Sequence, residues 1–196
     1  MQVILIRHSK TPGNAEYRYN GRTDESLSAE GIELARQAGT DPDVKTVYVT
    51  PLQRTQQTAA ILFPNAEQIV VDDLREMDFG DFEGFNYSDL EHNEAYRIWV
   101  EGDCFAPCPN GEGREGFSNR ICAAFEPIVR AALQRGEKSL TFVVHGGTIM
   151  SIMERFAKPA GAYYSYRVKN CQGYRCRVNT DDGLTLTDAI PWEGTH

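Results

Sequence analysis

The stretch LTFVVHGGTIMSIMERFA, residues 140–157, decides the fold class of this chain. It opens on an unbroken apolar run, passes through a histidine and two glycines, and continues with apolar residues at helical spacing. This is the pattern of a buried strand followed by the helix that covers it. Strands that are apolar without alternation are typical of a sheet with both faces covered.

The same alternation of strand and helix fills the rest of the chain. The apolar segments QVILIR, TVYVT and QIVV predict three further strands. A helix with Ser28 as N-cap follows the first of them. A helix with Thr50 as N-cap, Pro51 in its first turn and Gln53 completing a capping box follows the second. The alternation predicts a three-layer α/β/α sandwich with a mostly parallel central sheet.

Two segments depart from this alternation. Residues 85–116 read as a small helical and loop lid insertion, with NYSDLEHNEAYRIWVEG as one helix and a loop rich in Pro and Gly after it. The helix that follows contains Pro127, which should kink or interrupt it. The tail, residues 173–189, predicts a hairpin around an Asp-Gly turn. No linker or repeat divides the sequence, so we expect one domain over residues 1–196.

Composition limits the function. The chain of 196 residues is 41% hydrophobic with a formal net charge of −8, which predicts a globular domain that does not bind nucleic acid. No window is apolar enough for a membrane span, and no leader precedes the first strand. The odd number of cysteines, without a C-x-x-C pair, predicts reduced thiols in a cytoplasmic protein. A metal site or disulfide using Cys104 and Cys108 is the alternative.

Basic residues gather where the predicted parallel strands end. Arg7 and His8 follow the first strand, His145 follows the fourth, and Arg54 lies one turn beyond the second. The carboxyl ends of parallel strands form the usual ligand edge of such a sheet, so these side chains should meet. The arginines would repel a metal dication but match the oxygens of a phosphate. With neutral imidazole as nucleophile and a glutamate as acid, the pattern indicates phosphoryl transfer through a phosphohistidine.

Four blocks extend this interpretation to a family. The segments IRHSKTPGN, YVTPLQRTQQTA, LREMDFGDFEG and FVVHGGTI resemble, in order and spacing, the signature blocks of the histidine phosphatase superfamily, also called the phosphoglycerate mutase-like family. GRTDESLSAEG matches the segment that leads into the first long helix. The resemblance covers residues 1 to about 155.

The resemblance implies roles for particular residues. His8 would accept the phosphoryl group, and Glu76 would protonate the leaving alcohol, with Glu83 as the next candidate for that acid. Arg7, Arg54 and His145 would clamp the phosphoryl oxygens. The implied secondary substrate contacts are Thr11, Asn14, Gly21 and the backbone of Gly146. No metal or cofactor is implied. The expected partner is a small phosphorylated metabolite, and the exposed edges of the tail would permit a homodimer.

Three functions stay open at this point: a phosphatase, a phosphoglycerate mutase, and a phosphate-binding module without activity. The short lid carries many carboxylates, which should repel phosphoglycerates and favour a phosphatase. Within the family, the lid most resembles that of the α-ribazole phosphatases, with a broad-specificity sugar or nucleotide phosphatase as the alternative. Gly113 replaces the serine of the family's Pro-x-Gly-Glu-Ser motif. Ser9 and Lys10 replace its usual Gly-Glu, and Lys10 either changes the potential at the pocket mouth or points to solvent.

The remaining expectations concern side chains near the lid. Arg75 should form a surface ion pair, and His92 should be exposed. Several aromatic residues should either line a pocket for an organic leaving group or pack the lid onto the sheet. These are Phe79, Phe82, Tyr87, Tyr96 and Trp99.

Overall fold

The computed structural model describes residues 1–181 and 183–195. The strands are β1 (Gln2–Arg7), β2 (Thr46–Val49), β3 (Glu67–Val70), β4 (Ser139–Val144), β5 (Gly173–Asn179) and β6 (Thr185–Trp192). The helices are α1 (Pro12–Ala15), α2 (Ala29–Gln37), α3 (Gln53–Leu62), α4 (Tyr87–Leu90), α5 (Glu94–Glu101), α6 (Arg114–Gln134) and α7 (Gly146–Phe156). Short 3-10 turns cover Asp72–Leu74, Gly80–Phe82 and Tyr163–Tyr166.

The six strands form one sheet in the order β3-β2-β4-β1-β5-β6. The first four of these pair in parallel, and the tail strands β5 and β6 add antiparallel pairs at one edge. The prediction of a mostly parallel sheet is therefore confirmed. β1 and β4 lie side by side at its centre, in a register that pairs Arg7 with Val144. His8 and His145 consequently leave the sheet at the same edge.

Two apolar clusters separate the layers. Alternate residues of β1 and β4, such as Leu5 and Phe142, pack with α6 and α7 on one face of the sheet. Their neighbours Ile6 and Val143 pack with α2 and α3 on the other face. Both faces of the central strands are buried, which explains their unbroken apolar sequence. The fold is thus the predicted three-layer α/β/α sandwich.

The edges of the sheet differ from the sequence expectation in one place. β3 also reads as an apolar run, but it is an edge strand, and Ile69 and Val70 are 37% and 53% exposed. The tail forms the predicted hairpin of β5 and β6. Its predicted Asp-Gly turn includes Asp182, which lies outside the described residues, as does the C-terminal His196. No helix within the described ranges is long and apolar enough to cross a membrane.

Helix boundaries confirm some signals and correct others. Ser28 caps α2 as predicted, accepting the Gly31 N–H. The capping box at Thr50 is wrong, because α3 begins only at Gln53 and the Thr50 hydroxyl contacts His145 instead. Of the predicted kink or interruption at Pro127, the interruption is wrong. α6 continues through Pro127 because this residue is on the exposed side, where water can reach the carbonyl that its missing N–H would have bound.

The lid is two helices rather than the single one predicted. Asn86 caps α4 and Asn93 caps α5, and each asparagine side chain accepts the N–H three residues on. These local bonds compete with a continuous helix and divide the segment. The lid is held to the body by buried side chains, and the Tyr96 hydroxyl lies 2.7 Å from that of Tyr19. It is therefore a packed part of the domain.

The closest approach between strands gives a test of the fold. A Cβ at Gly173 would lie 1.7 Å from the Leu5 carbonyl oxygen, so Gly173→Ala must displace β5 from β1. We expect it to lower the free energy of unfolding by about 1–3 kcal/mol. Gly116→Ala, on the open side of α6, should raise it by up to about 1 kcal/mol. Urea unfolding measures both, and a Gly173→Ala protein as stable as the parent would contradict the described pairing.

Candidate active site

His8 is fixed in one protonation state by its surroundings. The residue is 4% exposed, and its backbone N–H donates to the Val144 carbonyl. Its ring Nδ1 lies 2.7 Å from the Ser9 carbonyl oxygen, which can only accept, so Nδ1 carries the proton. Burial lowers the pKa of His8 well below its usual value, and the charges of Arg54 and Arg7 lower it further. The ring is therefore neutral, with the lone pair on Nε2.

His145 is held in the opposite tautomer. Arg54 Nε donates to its Nδ1 at 3.3 Å, so the ring proton is on Nε2, 3.0 Å from the Thr50 hydroxyl. Burial and the positive charge of Arg54 lower the pKa of His145 well below its usual value. The His8 and His145 rings meet edge to face, with centroids 5.3 Å apart. The structure therefore brings the two predicted histidines into contact.

The guanidinium of Arg54 ties this pair to the loop before α2. It is 2% exposed and donates to the carbonyl oxygens of Asn20, Gly21 and Thr23. Glu83 holds the same loop from outside, accepting the N–H groups of residues 21, 22 and 23. The carboxylate of Glu83 is thus engaged in structure. Gly21 is part of this loop, where its carbonyl accepts from Arg54 and its N–H donates to Glu83. A Cβ at Gly21 would meet the Met77 carbonyl oxygen at 1.6 Å.

Arg7 reaches from the end of β1 into a cavity of about 440 Å³ under the lid. Its Nη1 donates to the Val168 carbonyl at 2.8 Å. Its Nε is buried, and the described residues offer it no hydrogen-bond acceptor. A buried N–H without an acceptor is costly, and a phosphate oxygen in this cavity would satisfy it.

Glu76 also lines the cavity. Its Oε2 accepts the Gly147 N–H at 2.9 Å, and its Oε1 accepts the N–H of Met77. Gly147 is the second residue of α7, so the carboxylate sits at the positive end of a helix. The Gly147 Cα has room for no side chain, because a Cβ would lie 2.2 Å from Glu76.

The other predicted contacts are divided between the cavity and its surroundings. Asn14 and Gly146 line the cavity. Thr11 is buried beside it as the N-cap of α1, where its hydroxyl accepts the Asn14 N–H. Among the five residues predicted to act on the phosphoryl group, Arg7 and Glu76 line the cavity, while His8, Arg54 and His145 are buried. His8 and His145 directly adjoin the lining residues Arg7 and Gly146 in sequence.

The two departures from the family motif have separate explanations. The Ser9 hydroxyl donates to the Gly31 carbonyl at 2.6 Å and anchors α2 to the end of β1. Lys10 forms an ion pair with Glu30. It lines an open groove of about 940 Å³ that shares Arg7 with the cavity. Lys10 therefore lies in a surface ion pair outside the cavity, and its effect on the potential at the pocket mouth stays a prediction.

Sequence reasoning missed several residues at this site. The Asn20 side-chain amide is buried without a hydrogen bond in the described chain, and the backbone carbonyl of the same residue accepts from Arg54. Asn170 donates to the His8 carbonyl at 2.9 Å and to Asn14 at 3.1 Å. Arg114 and Arg167 line the cavity from the lid side. Asn20 could have been found from the sequence, because it precedes the predicted contact Gly21. Asn170, Arg114 and Arg167 reach the site through tertiary packing, and no local sequence pattern marks them.

The predicted side chains around the lid take several places. Phe79 and Trp99 line the cavity, whereas Phe82 and Tyr96 are buried and Tyr87 is 65% exposed. Arg75 forms its surface ion pair with Asp72 at 3.0 Å, and the His92 side chain is 95% exposed, as predicted.

The expectation of an acidic lid over the substrate is wrong. None of the described lid carboxylates lines the cavity. Asp89 pairs with Arg18, and Glu112 pairs with Arg120 at 2.7 Å. They therefore do not line the space in which a leaving group would bind.

The five cysteines are free thiols. Within residues 1–181 and 183–195, no three or more His, Cys, Asp and Glu side chains are grouped so as to hold a metal ion.

Comparison with known proteins gives a consistent result. The family model of the histidine phosphatase superfamily (branch 1) matches residues 3–188. The adenosylcobalamin/alpha-ribazole phosphatase of Escherichia coli (strain K12) is 32% identical over 176 residues, covering 86% of this chain and 85% of the relative. A "Probable phosphoglycerate mutase GpmB" of Escherichia coli O1:K1 / APEC is 32% identical over 196 residues, covering 95% and 88%. The crystal structure of the alpha-ribazole phosphatase from Shigella flexneri superposes with a TM-score of 0.84 at 27% identity, covering 100% of this chain and 98% of that one.

The lowered pKa of His8 predicts how stability depends on pH. Below pH ~6.5 the unfolded chain binds protons at its histidines, while the folded chain keeps His8 neutral, so stability falls as pH falls. Between pH 7.5 and 5.5 this group should account for roughly 1 kcal/mol of the loss. His8→Asn, whose amide can still donate to Ser9, should lose that much less in urea unfolding. The exposed His92→Asn is the matched control, and equal losses in His8→Asn and the parent would show that His8 titrates normally.

Proposed function

Because the chain belongs to the histidine phosphatase superfamily, it is a hydrolase of phosphate esters, and we propose that it acts on small phosphomonoesters through a phosphohistidine at His8. One observation carries the assignment of His8. The hydrogen bond from Nδ1 to the Ser9 carbonyl leaves the Nε2 lone pair available, beside the arginines that would bind the phosphate. The neutral imidazole is the nucleophilic form.

In the first step, His8 Nε2 attacks phosphorus as the bond to the leaving oxygen breaks. Arg7, whose buried Nε has no acceptor among the described residues, donates to the phosphoryl oxygens, and Arg54 stabilises their charge through its own positive charge. The His8 ring becomes cationic, and the Ser9 carbonyl stabilises the proton retained on Nδ1. His145 is neutral and hydrogen-bonded to Arg54 and Thr50, and it holds the Arg54 side chain in position beside His8.

Glu76 handles the proton in both steps. As a carboxylic acid it protonates the leaving oxygen, which departs as an alcohol. The resulting carboxylate accepts a proton from water as the water oxygen attacks phosphorus and the P–N bond breaks. Phosphate and neutral His8 are regenerated. Glu76 suits this role better than Glu83, because Glu76 lines the cavity and Glu83 is not among the lining residues.

The substrate is proposed at the level of a small phosphorylated metabolite. α-Ribazole 5′-phosphate is one candidate, because relatives named for that substrate are similar over nearly the whole chain. Phosphoglycerate mutase-type transfer is the alternative, since another relative carries that name. Product analysis with 3-phosphoglycerate separates the two, because a mutase yields an isomer and a phosphatase yields inorganic phosphate. A cytoplasmic location and a homodimer stay predictions from the sequence.

Removing the nucleophile tests the proposal. His8→Ala should lower kcat for p-nitrophenyl phosphate by at least about 10³-fold, because no other described group in the cavity replaces the covalent step. His92→Ala, on the exposed lid surface, should keep parental activity. Near-parental turnover by folded His8→Ala would refute the phosphohistidine route.

The role of Glu76 is tested with leaving groups of different basicity. Glu76→Gln should slow hydrolysis of an alkyl phosphate by about 10²-fold or more. It should slow p-nitrophenyl phosphate much less, because p-nitrophenolate leaves without a proton. Glu83→Gln should affect both esters by the same factor, since Glu83 acts on the loop. If Glu76→Gln also slows the two esters equally, the acid is another group.

A further inference from the structure

The backbone around Glu76 has no regular secondary structure of its own. Residues 75–79 lie between two 3-10 turns and belong to no helix or strand. The Gly147 N–H holds the tip of the Glu76 side chain at the cavity. The place of the main chain that carries this side chain must therefore be set by contacts with other parts of the protein. We call residues 73–78 the acid loop.

Arg120 of α6 binds the main chain of the acid loop. Its Nη1 donates to the carbonyl oxygens of Asp73 at 2.9 Å and Arg75 at 3.2 Å, and its Nη2 donates to that of Glu76 at 3.4 Å. Three carbonyl oxygens within four residues therefore converge on one guanidinium. Because α6 packs into the apolar core, Arg120 ties the acid loop to a rigid element.

Glu112 completes this anchor. Arg120 donates to it as a fork, with Nε 2.9 Å from Oε1 and Nη2 2.7 Å from Oε2. The same Oε2 accepts the Asp78 N–H at 3.0 Å, and the Glu112 N–H donates to the Asp78 carbonyl at 2.8 Å. Burial raises the pKa of Glu112, but the hydrogen bonds from Arg120 and from the Asp78 N–H outweigh this effect and hold the pKa below its usual value. The pair is therefore charged at neutral pH.

The contacts of this pair distinguish it from a surface ion pair. The side chains of Arg120 and Glu112 are 22% and 29% exposed, and neither residue lines the substrate cavity. Arg130 and Glu126, on the same helix, are 48% and 38% exposed and pair with one another four residues apart. Arg120 instead reaches carbonyl oxygens 44 to 47 positions earlier in the chain. It therefore acts on the acid loop and not on the substrate.

We propose that Arg120 and Glu112 are positioning residues for the proton transfer, and that they hold the acid loop where the Glu76 carboxyl can reach the leaving oxygen. The inference rests on the proposed function, because it concerns the acid of that reaction. A general acid must lie within about 3 Å of the oxygen that it protonates, and a misplacement of about 1 Å can cost roughly 10²-fold in rate. Loss of Arg120 would release three carbonyl groups and one carboxylate together, so the loop would shift, whereas His8 keeps its own contacts to Val144 and Ser9.

Leaving groups of different basicity separate positioning from a general loss of structure. n-Butyl phosphate needs a proton on its leaving oxygen, whereas p-nitrophenyl phosphate does not. We expect Arg120→Met to lower the ratio of kcat/KM for butyl phosphate to that for p-nitrophenyl phosphate by about tenfold. Glu112→Gln keeps the shape of the side chain but loses its charge, and it should lower the ratio by roughly threefold. The ratio cancels any loss of folded enzyme, because that loss is common to both esters.

A double-mutant cycle with Glu76→Gln shows whether Arg120 acts through Glu76. In the Glu76→Gln background, Arg120→Met should leave the ratio unchanged, because no acid remains to be positioned. The control is Arg130→Met, the same substitution at the more exposed ion pair of α6, which should keep the parental ratio.

Equal losses for the two esters in Arg120→Met would overturn the inference, as would a ratio that falls as far in the Glu76→Gln background as in the parent. If Arg120→Met does not fold, the same two criteria apply to Glu112→Gln. Where Glu76→Gln lowers the ratio and these variants do not, the positioning role alone fails. A ratio that Glu76→Gln leaves unchanged would contradict Glu76 as the acid and the inference with it, while His8→Ala reports separately on the phosphohistidine.

Discussion

The buried guanidinium of Arg54 is the constraint on which the site depends. It links His145, at the end of β4, to the carbonyl oxygens of the loop at residues 20–23. A cation at this depth is stable only if its donors are satisfied, so the loop and the histidine are held where Arg54 requires them. Burial lowers the pKa of both histidines, and the charge of Arg54 lowers it further, so both stay neutral. One side chain therefore fixes the geometry of the site and contributes to its protonation state.

The proposed chemistry divides between two kinds of group. Backbone carbonyls and N–H groups fix the reacting side chains: Ser9 orients His8, and Gly147 orients Glu76. Arginine side chains then bind the anion. This division places an anion site inside an acidic protein, because the lid carboxylates are paired with other cations or lie at the surface. Net charge predicts the absence of broad polyanion binding but says little about a local cavity.

Much of the fold was predictable because buried parallel strands and their covering helices have unambiguous patterns. The meeting of His8 and His145 followed from the rule that strand ends share one edge. The sequence misled where local signals competed with tertiary contacts, as at Thr50, whose hydroxyl bonds His145 instead of heading a helix. The apolar sequence of β3 also suggested a strand covered on both faces, but β3 is an edge strand and its Ile69 and Val70 are partly exposed. Arg114 could not be predicted, because its place depends on rings distant in sequence.

The central claim is that Nε2 of His8 carries the phosphoryl group during turnover. The most direct test is to quench the enzyme rapidly during hydrolysis under conditions that preserve phosphohistidine, and to locate the modification by mass spectrometry and ³¹P NMR. The account predicts a phosphoryl group on the His8 peptide, attached at Nε2, that forms at least as fast as turnover. Turnover without a covalent intermediate, or a phosphoryl group on another residue or on Nδ1, would contradict it.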